Sequence, residues 1–447
     1  MKLNHNEKQE WLYIKSRKDL YKPNPNTMGR YAIFLTLLLS AAFCQIFEEE
    51  SYSHGFIELG EQRGHGRIYY ILFKARDENP KAPLIMYLEG GPGQSSMHGL
   101  FYQNGPYRLR NNQKLEKNEF SYNNFADVLY VDQPLGTGFS NCSNMSAIPH
   151  NEKEILRDLI VFLQSFLVKN QEYQTRPFFL VAQGYGSHFA LPLAHHIVHS
   201  PLMLINLQGV ALGSPWIRPE LQSTSLSAYS RQVELIDEFK YIASMYGFII
   251  ASVFIDLDMD IAAFDLITIS ESIIIGAYHH SFNRYDLRIR CTTGRCEYNF
   301  SDLSTYLDKG EVRNAMGTTG IPFNFTNRPL FNRLVASNEF LSDKSNLLIE
   351  FLDNGTIPIY LYSGWYDWHI NTMGMDETVS SINWHGRDAM TKQEWRVWYT
   401  DGDLSGRYKR HKTFYYVHAT NAGHYVGMDS PAFTLDLITR LVFGSDH

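Results

Sequence analysis

Three positions in the chain carry either a side chain or a predicted turn that is typical of nucleophilic catalysis. The segment 179–189 reads as a strand, a tight turn around Gly184 and a helix start, which is the pattern of a nucleophile elbow. Asp367 and His424 lie later in the chain, each just after a predicted strand. An elbow followed by an Asp and then a His is one of the chain orders of a catalytic triad. The pattern therefore predicts that Asp367 and His424 act as an acid–base pair beside residue 184.

Two further loops follow predicted strands and are rich in Gly and Pro. The segment 87–96 contains Glu-Gly-Gly-Pro-Gly, whose glycines leave backbone N–H groups open to a ligand. The segment 128–140 runs from an apolar stretch into Asp-Gln-Pro-Leu-Gly-Thr-Gly-Phe-Ser. Taken alone, the first loop is more simply interpreted as a turn, and the second loop indicates no catalytic residue. The function of both loops therefore depends on the fold around them.

The apolar pattern predicts the elements that would position these residues. Short continuous apolar runs are typical of strands buried on both faces of a sheet. Helical spacing at 152–168 and 188–199 separates several of the runs, and residues 51–80 alternate as antiparallel strands do. This succession predicts an α/β fold with a mostly parallel sheet. The predicted buried strands are 83–88, 127–132, 177–182, 204–212, 357–362 and 413–417.

The chain divides into an N-terminal extension, residues 1–44, and one large domain, residues 45–447. Within the domain, residues from about 217 to 330 are apolar and helical with few strand signals, and we interpret them as a cap inserted over one end of the sheet. The apolar run 32–43 follows basic residues and is too short to span a bilayer, which is typical of a signal peptide. An uncleaved anchor or a buried helix is the alternative, and Met28 is an alternative start to Met1.

The motifs together resemble the serine carboxypeptidase family, most closely its retinoid-inducible serine carboxypeptidase branch. The resemblance covers about residues 50–445 and includes the two Gly/Pro loops, the elbow, Gly-x-x-Asp and Gly-His-x-Val-x-x-Asp-x-Pro, in that order. It implies an α/β-hydrolase fold, with a mostly parallel central sheet flanked by helices and a helical cap over the active-site end. It also implies that Asp367 orients His424, and that the N–H groups of Gly91 and Tyr185 form an oxyanion hole.

The chain departs from this family at the nucleophile. Family members carry Gly-Glu-Ser-Tyr at the elbow, whereas this chain reads Ala-Gln-Gly-Tyr, so that Gly184 stands at the position of the Ser. A covalent serine ester needs the missing hydroxyl oxygen. Ser187 is the nearest serine in the sequence, but it should lie in the first turn of the next helix, where capping or packing is the usual role. We therefore expect the elbow shape to be kept and its acyl-transfer chemistry to be lost.

The residues expected to bind a substrate carboxylate also differ from the family. An amide before Gly-Gly-Pro-Gly and a Glu before the nucleophile perform this task in the family, and here the two positions hold Glu89 and Gln183. One acid and one amide remain, so binding of a peptide C-terminus below about pH 5–6, where Glu89 is protonated, is one interpretation. Drift in an unused pocket is the alternative.

Cysteines and glycosylation signals suit a secretory route. Cys291 and Cys296 flank a turn-like Thr-Thr-Gly-Arg and are predicted to form a disulfide, while Cys142 has no predicted partner if Cys44 leaves with the signal peptide. Five Asn-x-Ser/Thr sequons are candidate glycosylation sites, although such sequons also arise by chance. They are Asn141, Asn144, Asn299, Asn324 and Asn354.

Composition excludes several classes of function. The net charge is −7, and it becomes −11 without residues 1–44, because 33 Lys or Arg and 44 Asp or Glu remain. With no long basic run there is no electrostatic reason to expect nucleic-acid binding. No Cys/His cluster has zinc-ligand spacing, so we expect no metal, and we expect no cofactor and no membrane span. The expected location is outside the cell or in a lysosome or vacuole.

Three functions remain open from the sequence. The first is a secreted, catalytically impaired or inactive family member that binds peptide or protein C-termini. The second is an active serine-type carboxypeptidase that releases C-terminal residues at acid pH through a non-standard nucleophile or an activated water. The third is a structural protein selected for its surface. Gly184 favours the first, and the retained Asp367 and His424 favour the second.

Overall fold

A ten-stranded sheet carries the apolar runs of the sequence. The computed structural model describes residues 46–275, 282–291 and 297–444, and the contacts below lie within the compact unit that begins at Glu49. The sheet strands are β1 Tyr52–Glu58, β2 Arg67–Phe73, β3 Leu84–Leu88, β4 Asp127–Val131, β5 Pro177–Gln183, β6 Asn206–Gly213, β7 Ile359–Gly364, β8 Arg396–Thr400, β9 Asp403–His411 and β10 Phe414–Ala419.

The centre of the sheet is parallel and its margins are antiparallel. The strand order is β1-β2-β4-β3-β5-β6-β7-β10-β9-β8. The neighbours from β4 to β10 pair in parallel, and the two strands at each margin pair antiparallel. Every residue of β3, β4, β7 and β10 is buried, as expected for strands covered by helices on both faces. The predicted fold class, a mostly parallel sheet flanked by helices, is confirmed.

Helices cover the sheet and fill the region between β6 and β7. The first helix begins at a capped end, where the side chain of Asn151 accepts from the N–H of Glu154 at 2.9 Å. The helices of the described residues are α1 Glu152–Lys169, α2 Ser187–His199, α3 Pro219–Gln232, α4 Glu238–Asp256, α5 Asp260–Ile275, α6 Ser301–Leu307, α7 Gly310–Ala315, α8 Arg328–Ala336, α9 Ser345–Asn354, α10 Thr372–Ser381, α11 Arg387–Thr391, α12 Val426–Asp429 and α13 Pro431–Phe443.

The chain between β6 and β7 is largely helical, with one short pair of strands, Phe282–Asn283 and Asp286–Arg290. Backbone bridges join this region to the two Gly/Pro loops, from Asn324 to Gly138 and from Thr326 to Gln94. The helical content agrees with the predicted cap, while the boundaries near 217 and 330 stay predictions.

The sequence analysis missed two antiparallel hairpins. One pairs Tyr107–Leu109 with Leu115–Lys117, and the other is formed by β8 and β9. The residues of β8 and β9 are mostly exposed or half-buried, and β9 carries four basic side chains. A margin strand of this kind lacks the apolar run that identified the central strands, which explains why the pattern did not show it.

One cap helix has an unusual composition for a half-exposed position. Helix α4 spans 19 residues and is long and apolar enough to cross a membrane by length and composition alone, although the same test is passed by core helices and by signal sequences. Phe239, Tyr246 and Ile250 are among its exposed side chains. In length, α4 is closer to a membrane span than the run 32–43 of the sequence, and the absence of a membrane span stays a prediction.

Several sequence-based expectations fall on residues that the structure does not describe. The signal run, Met28, Cys44 and Cys296 lie outside the described residues, so the signal peptide and the Cys291–Cys296 disulfide stay predictions. Cys142 is a free, half-buried cysteine.

The predicted glycosylation sites differ in how their side chains are placed. Asn144, Asn299, Asn324 and Asn354 are exposed. Asn141 is half-buried, and its side-chain oxygen accepts from Nε of Arg67 at 3.1 Å. The geometry therefore leaves four of the five sequons on the surface, and glycosylation itself stays a prediction.

Candidate active site

The carboxyl ends of the parallel strands bring the predicted site residues to one edge of the sheet. Glu89 follows β3 directly, Gly184 follows β5, Asp367 lies in the turn after β7, and His424 lies in the loop after β10. The carboxyl ends of neighbouring parallel strands open toward the same crevice, which is where ligands bind in α/β sheets. Positions separated by 335 residues of sequence therefore meet because the topology is parallel.

Asp367 and His424 form a hydrogen-bonded pair. Nδ1 of His424 lies 2.8 Å from Oδ2 of Asp367, and the carboxylate is fully buried. Oδ1 of Asp367 accepts from the N–H of Ile370 at 2.9 Å, and the N–H of His424 donates to the carbonyl of Tyr285 at 2.7 Å. These contacts fix both the carboxylate and the ring, so that Nε2 of His424 faces the turn after β5.

The turn after β5 has the strained geometry expected of an elbow. Gly184 has φ of +56°, in the left-handed region that favours glycine. A β-carbon at this residue would lie 3.4 Å from Nε2 of His424 and 3.8 Å from its Cε1. A side chain at residue 184 would therefore point directly at the imidazole, and a hydroxyl on it would be within reach of the ring nitrogen.

Ser187 does not face the imidazole. It is the first residue of α2 and is almost completely buried. Its hydroxyl contacts the carbonyl oxygens of Gly184 at 2.9 Å and of Trp216 at 2.8 Å. The hydroxyl carries one proton and lies against two acceptors, so it serves the packing of the turn.

The loop after β3 packs closely on the elbow. A β-carbon at Gly90 would lie 2.6 Å from the backbone nitrogen of Tyr185 and 2.8 Å from that of Gly186, so this position requires glycine. Gly91, Gly184 and Tyr185 all line the same cavity. The arrangement places the two predicted oxyanion-hole residues beside residue 184, and their role as donors stays a prediction.

Glu89 lies in a buried polar cluster that the sequence analysis missed. Its Oε2 is 2.9 Å from Nδ1 of His98, accepts from the hydroxyl of Tyr87 at 3.0 Å, and lies 3.3 Å from the amide nitrogen of Gln103. His98 also packs against the ring of Phe300, with centroids 4.4 Å apart. His98 and Gln103 stand nine and fourteen residues after Glu89, at the start and the end of the short π-helix Gly99–Gln103, and their spacing from Glu89 shows no periodicity that could reveal the contact from sequence.

Gln183 is the second predicted carboxylate ligand. Its amide nitrogen donates to the carbonyl of His424 at 2.8 Å, and the residue is buried. Gln183 and Glu89 both line the cavity. The structure thus brings the two residues to one cavity, and carboxylate binding by them stays a prediction.

A second buried network supports the elbow from behind. The hydroxyl of Tyr185 donates to Oε1 of Glu152 at 2.6 Å, and Nδ1 of His188 lies 2.7 Å from the same oxygen. Lys344 contacts the other carboxylate oxygen. Burial raises the pKa of Glu152, but the charges and hydrogen bonds of His188 and Lys344 outweigh it and lower the pKa to about 2. In the sequence, an acidic residue at a predicted helix start indicates only a solvent-exposed side chain. The sequence analysis therefore missed this network.

The cavity at this edge has a volume of about 780 Å³, within the range of small-molecule and peptide-end pockets. Its lining combines aromatic side chains with charges of both signs. Arg284 is paired with Glu271, while Arg328 is exposed at the start of α8. The cavity therefore offers an extended ligand apolar surface together with polar and charged groups.

Comparison with known proteins identifies the family. The serine carboxypeptidase family model matches residues 44–444. The chain is 29% identical over 407 residues to serine carboxypeptidase-like 47 of Arabidopsis thaliana, covering 89% of this chain and 79% of the relative. It is 30% identical over 413 residues to serine carboxypeptidase 3 of Hordeum vulgare, covering 87% of this chain and 79% of the relative.

A solved structure confirms the fold. The structure of Kex1Δp, a prohormone-processing carboxypeptidase from Saccharomyces cerevisiae, superposes with a TM-score of 0.78 at 21% identity, covering 88% of this chain and 91% of the neighbour. The chain belongs to the serine carboxypeptidase family and has its α/β-hydrolase fold. The fold and family expectations from the sequence are confirmed.

Proposed function

We propose that this protein is a secreted or lysosomal serine carboxypeptidase homologue that no longer forms an acyl-enzyme and that binds peptide C-termini. Gly184 occupies the nucleophile position and replaces the family's Ser. The observation that carries the proposal is the 3.4 Å between Nε2 of His424 and the place of a β-carbon at residue 184. The imidazole is oriented as a general base, and the atom that it would deprotonate is missing.

The residual catalysis expected from such a site is small. Removing the nucleophile of a serine-protease triad lowers the rate by about six orders of magnitude, and binding together with the oxyanion hole leaves about 10³–10⁴ over water. Ser187 does not compensate, because its hydroxyl is buried against the carbonyls of Gly184 and Trp216.

Binding of a peptide C-terminus is supported by the groups around the cavity. Glu89 and Gln183 line it together, and Gln183 offers an amide that can donate to a carboxylate. Arg328 adds positive charge at the exposed rim. We therefore expect peptides with a free C-terminus to bind more tightly than the same peptides with an amidated C-terminus.

Two measurements test this function. Hydrolysis of an N-blocked dipeptide at about pH 5 should stay at the level of a heat-denatured control. Calorimetric titration with an N-blocked peptide should show binding that disappears when the same peptide is C-terminally amidated. Turnover well above the control would overturn the inactivity, and equal binding of both peptides would overturn the recognition of the carboxylate.

The second candidate is a working carboxypeptidase in which His424 activates a water. The intact Asp367–His424 hydrogen bond at 2.8 Å favours it. In that case His424→Ala would remove a measurable activity, and the solvent-derived oxygen would enter the product without a covalent intermediate. Activity that is unchanged by His424→Ala would identify a contaminant.

Other proposals rest on the sequence alone. The placement in the retinoid-inducible branch, the signal peptide and the glycans are of this kind. Secretion of the full chain from cultured cells, followed by N-terminal sequencing and glycosidase digestion, would test the last two. An intact N-terminus and an unchanged mass would contradict them.

A further inference from the structure

A group of metal-ligating side chains lies outside the catalytic cavity, on two neighbouring helices. His195 and His199 stand one turn apart on α2, and Glu350 comes from α9. One ligand atom from each of the three lies within 4.8 Å of the others. Residues at i and i+4 project from the same face of a helix, so the backbone of α2 already aligns the two imidazoles. The sequence analysis expected no metal because this third ligand is 151 residues away from His199.

The contacts within the group resemble a coordination sphere. Nε2 of His195 lies 3.0 Å from Oε2 of Glu350, and Nε2 of His199 lies 2.7 Å from Oε1. Zinc takes His nitrogens and carboxylate oxygens at about 2.0–2.2 Å, which separates neighbouring ligand atoms by about 3.3 Å in tetrahedral geometry. The two imidazole rings are stacked, with centroids 4.2 Å apart, so both rings must rotate for their Nε2 atoms to converge on an ion placed between the three groups.

A hydrogen bond prepares His199 as a ligand. Its Nδ1 lies 2.9 Å from the carbonyl oxygen of His195, which can accept a proton but cannot donate one. Nδ1 therefore carries the hydrogen, and in the neutral ring Nε2 presents a lone pair to a carboxylate oxygen. Two acceptors 2.7 Å apart repel each other unless a proton or a metal ion lies between them. Ligating histidines typically donate their second ring N–H to a carbonyl in this way.

The site is open to ions from solution. The side chains of His195, His199 and Glu350 are between about a third and a half exposed. Both histidines also line a second cavity of about 490 Å³, together with His196, whose Nε2 is buried without a hydrogen-bond partner among the described residues. Water in this cavity can complete a fourth coordination position.

We propose that His195, His199 and Glu350 bind one divalent transition-metal ion of the zinc type. Two nitrogen ligands and one carboxylate are the ligand set that zinc accepts, whereas calcium and magnesium prefer oxygen ligands alone. The ion joins α2, which starts at the elbow, to α9. Its binding therefore raises the unfolding temperature of the protein.

The test uses protein without a polyhistidine tag, treated with a chelator and then dialysed. Titration calorimetry with Zn²⁺ should show one equivalent, and Zn²⁺ should raise the midpoint of thermal unfolding. His195→Ala and His199→Ala should each weaken binding at least tenfold. The matched control is His385→Ala, since His385 contacts Asp353 at 3.0 Å but belongs to no group of three ligands among the described residues. The control should bind like wild type.

Two further measurements keep the test decisive. Circular dichroism of the metal-free variants shows whether they fold. Anomalous scattering at the zinc edge locates the ion in the wild-type protein, and this measurement does not depend on whether the variants fold. A peak between His195, His199 and Glu350 is expected. Absence of stoichiometric binding would overturn the site, and so would binding that survives both histidine variants or is lost in Cys142→Ser.

Discussion

The two sides of the catalytic cavity differ in what they have kept. On the side of β7 and β10, Asp367 and His424 are buried, 2.8 Å apart, and held by backbone hydrogen bonds. On the side of β3 and β5, the elbow has a left-handed turn at Gly184 and a close approach to Gly90, and residue 184 offers no side chain to the imidazole. The acid and the amide next to that turn are Glu89 and Gln183.

This difference concerns the side chains that could take part in a reaction and not the backbone that positions them. Backbone geometry at the elbow depends on the packing of β3, β5 and α2, which does not need a hydroxyl at residue 184. Glycine adopts the left-handed turn more easily than serine, so its presence relieves local strain at residue 184. Under the function proposed above, the site has lost its reaction and kept its shape, and the following experiments ask how completely the shape is kept.

The largest effect is expected from Gly184→Ser. A hydroxyl at this residue would lie beside Nε2 of His424 and should raise the rate of N-blocked dipeptide hydrolysis at pH 5 by at least about 10³-fold. Gly184→Ala is the matched control, since it adds the β-carbon without the oxygen and should stay inactive. A folded but inactive Gly184→Ser protein would show that the β3–β5 side has diverged beyond residue 184.

The next effect concerns the network behind the elbow. Glu152→Gln leaves Lys344 and Tyr185 without their buried carboxylate and should lower the free energy of unfolding by about 3 kcal/mol. Glu154→Gln is the control, because Glu154 pairs with Arg63 in a more exposed position and should cost less than about 1 kcal/mol. Chemical denaturation measures both. Equal effects would mean that the network does not support the elbow.

Stability should be greater at pH 5 than at pH 7.5. Burial raises the pKa of Asp132 and of Asp429 to about 6. A carboxyl whose folded pKa is raised contributes stability that is present at low pH and is lost as the pH rises through about 6. Asp132 holds the loop beside the elbow through Ser95, and Asp429 accepts from the N–H of Gly423 beside His424, so both sides of the site respond.

Glu152 acts in the opposite direction at lower pH. Its lowered pKa contributes stability above about pH 4.5 that is lost as the pH falls toward about 2. Because this change lies below pH 4.5, the comparison between pH 5 and pH 7.5 depends on the aspartates, and the free energy of unfolding should be about 1–3 kcal/mol higher at pH 5 than at pH 7.5. Asp132→Asn should flatten the slope above pH 5. A monotonic rise from pH 5 to 7.5 would contradict the assignment.

Ser187→Ala should have a small effect on stability and none on activity. Loss of the hydroxyl that contacts the carbonyls of Gly184 and Trp216 should cost about 1 kcal/mol. In the Gly184→Ser background the second change should leave turnover within about twofold. A loss of turnover that follows Ser187→Ala in either background would assign Ser187 a part in the chemistry.

The smallest effect is expected for His424→Ala in the wild-type protein. With no hydroxyl to deprotonate, removal of the imidazole should leave the background rate unchanged, whereas in the Gly184→Ser background it should remove most of the gained activity. The pair of measurements compares the two sides of the cavity directly. A lower rate in wild type would favour the water-activating alternative.

The central sheet could be predicted from the sequence because parallel strands leave a strong local signal. The runs that became β3, β4, β5 and β10 were placed within two residues of their observed bounds. The pattern failed for β8 and β9, two margin strands whose residues are mostly exposed or half-buried. The structure brings Asp367, His424 and Gly184 together, as their chain order in the sequence predicts, and their roles stay predictions.

The partners of these residues could not be found in the same way. His98 beside Glu89, Lys344 beside Glu152, and Glu350 beside His195 meet through tertiary packing alone. Such contacts join distant helices and loops, and no spacing in the sequence records them. They also decide the charge of the pocket, the rigidity of the elbow and the proposed metal site, which explains why the sequence alone left those questions open.

The most direct test of the central claim is reaction with an active-site serine probe, followed by mass spectrometry of the labelled peptide. Wild-type protein should remain unlabelled at pH 5 and pH 7.5. The Gly184→Ser variant should carry one adduct on residue 184, and His424→Ala should prevent that labelling. A wild-type adduct on Ser187, accompanied by turnover that disappears in His424→Ala, would contradict the account.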